Sequence, residues 1–179
     1  MSSRFSIATP LGNFIAEYSE NGLAGLSFPD RKPDSPDHET GEPKISPKVR
    51  DWHRITKTAL KNMLDGHEPK ELPPLDLQGT EFQKNVWRAM LKIPYGKTKS
   101  YGEVAKAVGK PKAVRAVGGA CGANSIPVLV PCHRVLAANN KIGGFGSGLG
   151  WKCKLLEIEG VSFADSRVRQ PRRFSAGRS

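Results

Sequence analysis

The sequence predicts an α/β protein with two domains. Residues 1–75 form a small antiparallel sheet plus one helix, and residues 80–162 form a mostly helical domain. Three observations lead there. Short β-rich runs alternate with turn residues before position 30. Two capping-box sequences open helices after position 79. A tight glycine-containing turn then joins two short helices, as in a helix-turn-helix.

The elements follow in order. Residues 5–8, 14–18 and 23–28 are β-rich runs, punctuated by Pro10-Leu11-Gly12-Asn13 and Glu20-Asn21-Gly22, and read as an antiparallel meander. Residues 29–47 hold five prolines and mixed charges, which predicts a loop. Val49, Trp52, Ile55, Ala59, Leu60 and Met63 recur at near-helical spacing, so a helix follows and ends near Gly66. Leu72-Pro73-Pro74-Leu75-Asp76-Leu77 reads as an extended connector or an edge strand.

Thr80-Glu81-Phe82-Gln83 is a capping box, and Phe82, Val86 and Met90 give the helix it opens an apolar stripe. Ile93-Pro94-Tyr95-Gly96 stops that helix. Ser100-Tyr101-Gly102-Glu103 is a second capping box, opening a short helix to about Val108. After a turn at Gly109-Lys110-Pro111, a third helix runs from about Lys112 to Cys121. Residues 163–179, with five arginines and one acid, read as a disordered basic tail.

Composition narrows the function classes. The 179 residues are 37% hydrophobic and carry a formal net charge of +11. Three cysteines, an odd number without a C-x-x-C pair, argue against a disulfide framework and against zinc. There is no apolar leader, and no run approaches the ~20 residues needed to cross a bilayer. The expectation is a soluble protein of the cytoplasm, or of the nucleus in a eukaryote, without a membrane partner. Within residues 81–160, thirteen Lys/Arg stand against four acids, a net charge of +9. Such a field favours a polyanionic partner, most simply nucleic acid, although a basic surface without a dedicated partner is the bland alternative.

Pro131-Cys132-His133-Arg134-Val135 follows the apolar run Ile126-Pro127-Val128-Leu129-Val130. It sets a nucleophile beside a base, and a neighbouring imidazole or positive charge favours the reactive thiolate. The alternative is a satisfied core cysteine followed by a surface His-Arg pair. The third predicted helix, Ala113-Val114-Arg115-Ala116-Val117-Gly118-Gly119-Ala120, lacks the long polar side chains of a major-groove reader. Its small residues suit a close approach to a minor groove, with Arg115 as a wedge into the duplex. The competing reading is a core helix packed through Gly118 and Gly119, with Arg115 solvated.

The set Pro94-Tyr95-Gly96, Ser100-Tyr101-Gly102, residues 115–120, Asn124, residues 131–135, Leu155-Leu156 and Glu159-Gly160 resembles the O6-alkylguanine-DNA alkyltransferases, also called methylated-DNA–protein-cysteine methyltransferases. The resemblance covers roughly residues 80–160. It implies a ribonuclease-H-like N-terminal domain and a winged helix-turn-helix C-terminal domain. It also implies irreversible, stoichiometric transfer of an alkyl group from O6-alkylguanine, and from O4-alkylthymine, in duplex DNA to Cys132 after base flipping. No cofactor is implied. A monomer is expected, bound to duplex DNA mainly through the minor groove with little sequence preference.

The resemblance assigns roles residue by residue. Cys132 is the nucleophile, His133 accepts its proton through a bridging water, and Glu159 orients His133. Tyr101 aids nucleotide rotation and donates to guanine N3. Asn124 ties the recognition helix to the active-site segment, or is an ordinary helix cap. Arg115 fills the vacated base position, with Ala116, Gly118 and Gly119 at the DNA surface. Val135, Phe145, Gly146, Ser147 and Lys152 belong to the substrate pocket, and the glycine-rich stretch from Gly143 to Leu149 is a lid, or simply a flexible loop.

Two positions depart from the family pattern. Phe145 stands where many members have tyrosine, and Gly146 where many have serine. Some homologues carry a structural zinc, but residues 1–75 contain no cysteine, so no such metal is expected. The alternatives are a lesion sensor that binds without repair, a winged-helix regulator and a small-molecule cysteine hydrolase. The sensors lack a reactive cysteine, whereas the other two leave the Cys-His-Glu set or Arg115 unexplained.

Overall fold

Alternating burial shapes the first three elements. Phe14, Ala16 and Tyr18 point inward from one strand and Ile7 from its neighbour, while the residues between them stay wetter. In a computed structural model, which describes residues 2–29 and 46–164, these strands are β1 (Ser3–Thr9), β2 (Gly12–Tyr18) and β3 (Leu23–Ser27). They form an antiparallel meander in the order β1-β2-β3. Thr9 pairs with Gly12 across the first turn, and Gly12 holds φ at +113°. A Cβ there would sit 2.7 Å from Pro29, so glycine is required twice over.

The outer edge of β3 is covered on both halves. Leu23 N donates to Pro74 O at 2.8 Å and Asp76 N donates to Leu23 O at 2.8 Å, so the expected edge segment pairs here. Farther along, Leu26 N donates to Ser125 O at 2.9 Å, and Ser125 Oγ donates to Ala24 O at 3.0 Å. The turn just ahead of the Cys-His pair is thus joined to the sheet.

Helix α1 (Pro47–Leu64) buries Trp52, Ile55, Thr56, Ala59, Leu60 and Met63. Ser46 caps its first turn and Pro47 occupies a position that needs no N–H donor. Most of the loop expected over 29–47, and nearly all of the tail expected over 163–179, lie outside the described residues.

Both capping boxes form. Thr80 and Gln83 close one at α2 (Glu81–Leu91), and Ser100 and Glu103 close the other at α3 (Tyr101–Ala107). Helix α4 (Val114–Gly122) starts two residues later than the sequence suggests. Pro111 disfavours helix at Lys110, and the chain turns through residues 110–113, closed by Ala113 N donating to Lys110 O at 2.8 Å. Trp87 fastens α2 to α4, its Nε1 donating to Ala120 O at 2.8 Å.

Residues 126–130 form turns, not a strand, and Val128 lies at φ +72° while fully buried. A β-branched residue in that region costs of order 1–3 kcal/mol, held here by the surrounding packing. A short 3-10 turn (Cys132–Arg134) follows. The short strands β4 (Lys99–Ser100) and β5 (Val135–Leu136) pair in parallel, and α5 (Leu149–Ile158) is the last helix among the described residues. One hydrophobic cluster runs from Ile7 on β1 through Leu155 on α5, continuous across the chain. Among the described residues, no helix is long and apolar enough to cross a membrane.

Candidate active site

The pentapeptide is interior, which overturns the reading of a surface His-Arg pair. Cys132 is 5% exposed, His133 0% and Arg134 5%. The polar groups of His133 and Arg134 converge on Glu159, the C-cap of α5. His133 Nε2 lies 2.7 Å from Glu159 Oε1. Arg134 Nε donates to Glu159 Oε2 at 3.0 Å, and its Nη2 donates to Oε1 at 3.1 Å. Gly96 N donates to Oε2 at 3.1 Å, which explains the chemistry of the Pro94-Tyr95-Gly96 turn. Gly96 sits at φ +70°, a conformation that brings its N–H to the carboxylate.

Arg134 is further fixed by Nη1 donating to Ile93 O at 2.7 Å and by the Tyr95 ring at 5.4 Å. It is therefore a buried counterion and not part of the external basic field counted from the sequence. Lys152 leaves that field too. It is fully buried, and its Nζ donates to Val135 O at 2.7 Å and to Gly144 O at 3.1 Å.

Burial would raise the Glu159 carboxyl, but the hydrogen bonds and charges of His133 and Arg134 outweigh it and hold the pKa down to about 2. Glu159 is therefore ionised, and the His133 proton facing it sits on Nε2. Burial lowers the His133 pKa, so the ring rests neutral. Its Nδ1 is buried and has no hydrogen-bond partner among the described residues. A neutral imidazole with Nε2–H donating carries its lone pair on Nδ1, free to take a proton.

The thiol itself behaves against expectation. Burial pushes the Cys132 pKa up, although the Asn124 amide and the Lys152 charge pull the other way. Desolvation of a thiolate in this pocket outweighs the helpful neighbours, so the resting sulfur is a thiol. Burial also drops the Lys152 pKa to about 8.

A cavity of about 300 Å3 opens over the sulfur. Tyr101, Gly118, Cys121, Gly122, Cys132, Gly144 and Phe145 line it. Four expected site residues (Tyr101, Gly118, Cys132 and Phe145) thus meet in one space. Asn124 lies behind them: Nδ2 donates to Val130 O at 2.8 Å, and Oδ1 accepts from Ile126 N at 3.0 Å. It ties the end of α4 to the turns before Cys132, beyond the work of a helix cap.

Arg115, Ala116 and Gly119 lie exposed on the outer side of α4. A Cβ on Gly118 or Gly119 would meet nothing within 4 Å, so the reading of a core helix packed through these glycines fails. Val135, Gly146, Ser147 and Lys152 do not line the cavity. The Val135 carbonyl already accepts from Lys152, and a Cβ on Gly146 would come within 3.3 Å of Gly122 O.

Cys121 and Gly122 at the end of α4 went unread in the sequence, as did the buried role of Arg134. Only the nearness of Cys121 to the small-residue helix hinted at it. Among the described residues, no three His, Cys, Asp or Glu side chains gather as a metal-ligand set.

Comparison with known proteins agrees with this geometry. Residues 81–161 match the family model of the 6-O-methylguanine DNA methyltransferase DNA-binding domain. A methylated-DNA–protein-cysteine methyltransferase of Methanosarcina acetivorans is 40% identical over 154 residues, which cover 85% of this chain and 94% of that protein. The chain belongs to the methylated-DNA–protein-cysteine methyltransferase family.

A Mycobacterium bovis methylated-DNA–protein-cysteine methyltransferase is 56% identical over 85 residues, 48% of this chain and 52% of that protein. The solved structure of Mycobacterium tuberculosis OGT in complex with DNA matches with a TM-score of 0.66 at 38% identity, covering 86% of this chain and 90% of that one. The shared architecture is an α/β fold with a small antiparallel sheet and several helices.

Proposed function

We propose that this methyltransferase repairs DNA directly, taking the alkyl group of O6-alkylguanine, and of O4-alkylthymine, onto Cys132. One observation carries the assignment of residues: neutral His133 donates from Nε2 to ionised Glu159 while its buried Nδ1 is left with an unused lone pair. That pair removes the thiol proton, through a bridging water, as the sulfur attacks. The S–C bond forms as the C–O6 bond breaks, the electron pair goes to guanine, and the proton on His133 neutralises it. The raised thiol pKa keeps the cysteine quiet until a substrate enters. The thioether product has no partner to hydrolyse it, so each molecule acts once.

The bare outer side of α4 supports minor-groove binding with little sequence preference, because small residues admit close approach and carry no base-reading groups. Arg115, exposed on that side, fills the position of the flipped base, with Ala116, Gly118 and Gly119 against the backbone. Tyr101 at the cavity wall steadies the rotated nucleotide and donates to guanine N3. Phe145 faces the alkyl group within a lid formed by the stretch from Gly143 to Leu149, and Lys152, from beneath, ties that lid to the Val135 backbone through Gly144 O and Val135 O. Residues 1–75 are the ribonuclease-H-like domain, residues 80–162 the winged helix-turn-helix, and the protein works as a monomer.

The test is intact-protein mass spectrometry after incubation with a duplex containing O6-methylguanine, followed by peptide mapping. The expected result is the added mass of one CH2 on the peptide bearing Cys132, with none in Cys132→Ser. A bound but unchanged lesion would make the protein a sensor instead.

A further inference from the structure

The cavity has one wall that is not held by its own segment. Phe145 sits in the stretch Gly143-Gly144-Phe145-Gly146-Ser147-Gly148, four glycines in six residues, which has little order of its own. Lys152 Nζ donates to Gly144 O at 3.1 Å, and Gly148 N donates to Phe145 O at 3.1 Å. Neither fixes the Phe145 ring.

The ring is fixed from the N-terminal sheet. Phe28, just past β3 and 4% exposed, meets Phe145 edge-on, with centroids 6.0 Å apart at 70°. On its other side Phe28 lies 4.6 Å from Trp151, in the first turn of α5. Phe14 of β2 closes the group, 5.4 Å from Phe28 and 5.6 Å from Trp151. Phe145 is the only one of these four rings that also lines the cavity over Cys132. Tilted and edge-on pairs at such separations attract beyond simple burial, so the cluster gives Phe145 a preferred place.

We propose that Phe28 and Trp151 are positioning residues that set the width of the cavity at Phe145, and thereby the size of alkyl group that Cys132 accepts. The assignment rests on Cys132 being the acceptor. Phe28 is a rigid buttress because it is buried between a strand end and a helix start. Removing its ring opens space behind Phe145, and the wall recedes. A bulky group then gains room, while a methyl group, which needs a narrow site to hold its carbon in line with the sulfur, loses orientation.

The experiment compares second-order rate constants on two duplexes, one carrying O6-methylguanine and one O6-benzylguanine, so that base flipping is common to both. For Phe28→Ala the benzyl-to-methyl ratio should rise roughly three- to tenfold, the equivalent of one aromatic contact. For Phe28→Leu, which keeps apolar volume but no ring edge, the rise should be smaller. Trp151→Ala should shift the ratio in the same direction, and it carries the test if Phe28→Ala fails to fold. A general loss of stability lowers both rates together. An unchanged or lowered ratio, with or without slower transfer, overturns the inference. If the wild-type protein transfers neither group to Cys132, the underlying assignment fails instead, and that result is distinct.

Discussion

Glu159 carries most of the electrostatic order of the site. It receives His133, Arg134 and the Gly96 N–H within one carboxylate. Its folded pKa of about 2 lies below the ordinary carboxylate value of 4.5, so the stability it adds is complete above about pH 4.5 and drains as pH falls toward 2. Glu159→Gln should therefore lose part of the acid-unfolding transition in that window, read by circular dichroism against pH. The same variant should slow alkyl transfer by roughly 10²-fold or more, because neutral glutamine stabilises the His133 cation poorly.

Lys152 gives a second pH signature. Its pKa of about 8 lies below 10.5, so the unfolded chain binds the extra proton between these values. Stability from this group rises as pH climbs from about 8 toward 10.5, and thermal melts of wild type and Lys152→Met should differ in slope there. The adjacency of Cys132 and His133 made the pair legible in the sequence. Arg134 was not legible, because a charge count cannot distinguish a buried counterion from a DNA contact. Its burial depends on Ile93 and Glu159, far away along the chain.

At the scale of elements, α4 separates folding from function. Gly119 faces open space at its Cβ position, so Gly119→Leu should leave the melting temperature unchanged or raise it by up to ~1 kcal/mol in stability. The same variant should weaken binding to duplex DNA, measured by fluorescence anisotropy. Arg115→Ala should slow repair in duplex DNA far more than reaction with free O6-benzylguanine; equal losses would remove Arg115 from the flipping step. The helices α2 and α3 were legible because their capping boxes are local hydrogen-bond patterns. The start of α4 was not, since Ala113 offers no side-chain cap and the turn at Pro111 takes its first residues. The conformation of residues 126–130 was not legible from their apolar run alone. The apolar run is buried there by tertiary packing, with Val128 in a backbone region that no local preference would choose.

Across the whole molecule, the net charge of +11 should make duplex binding strongly dependent on salt. The logarithm of the association constant should fall linearly with the logarithm of salt concentration, with a slope of about −0.9 for each phosphate contacted. Anisotropy titrations at several ionic strengths check this; a flat response would mean the positive charge is not what holds the DNA. Composition gave the sign of this field. It overstated its size near the site, because Arg134 and Lys152 lie inside.

The seam between β3 and the turn at Ser125 has a mechanical consequence. Its two hydrogen bonds, Leu26 N to Ser125 O and Ser125 Oγ to Ala24 O, link the first strands to the loop that carries the cysteine. Tension applied to the amino terminus would load that seam in series with the β-ladders. Peeling the strands away would then slacken the cysteine loop while α2 and α4, fastened by Trp87, still hold. A stretched molecule would lose its chemistry before it lost its helices.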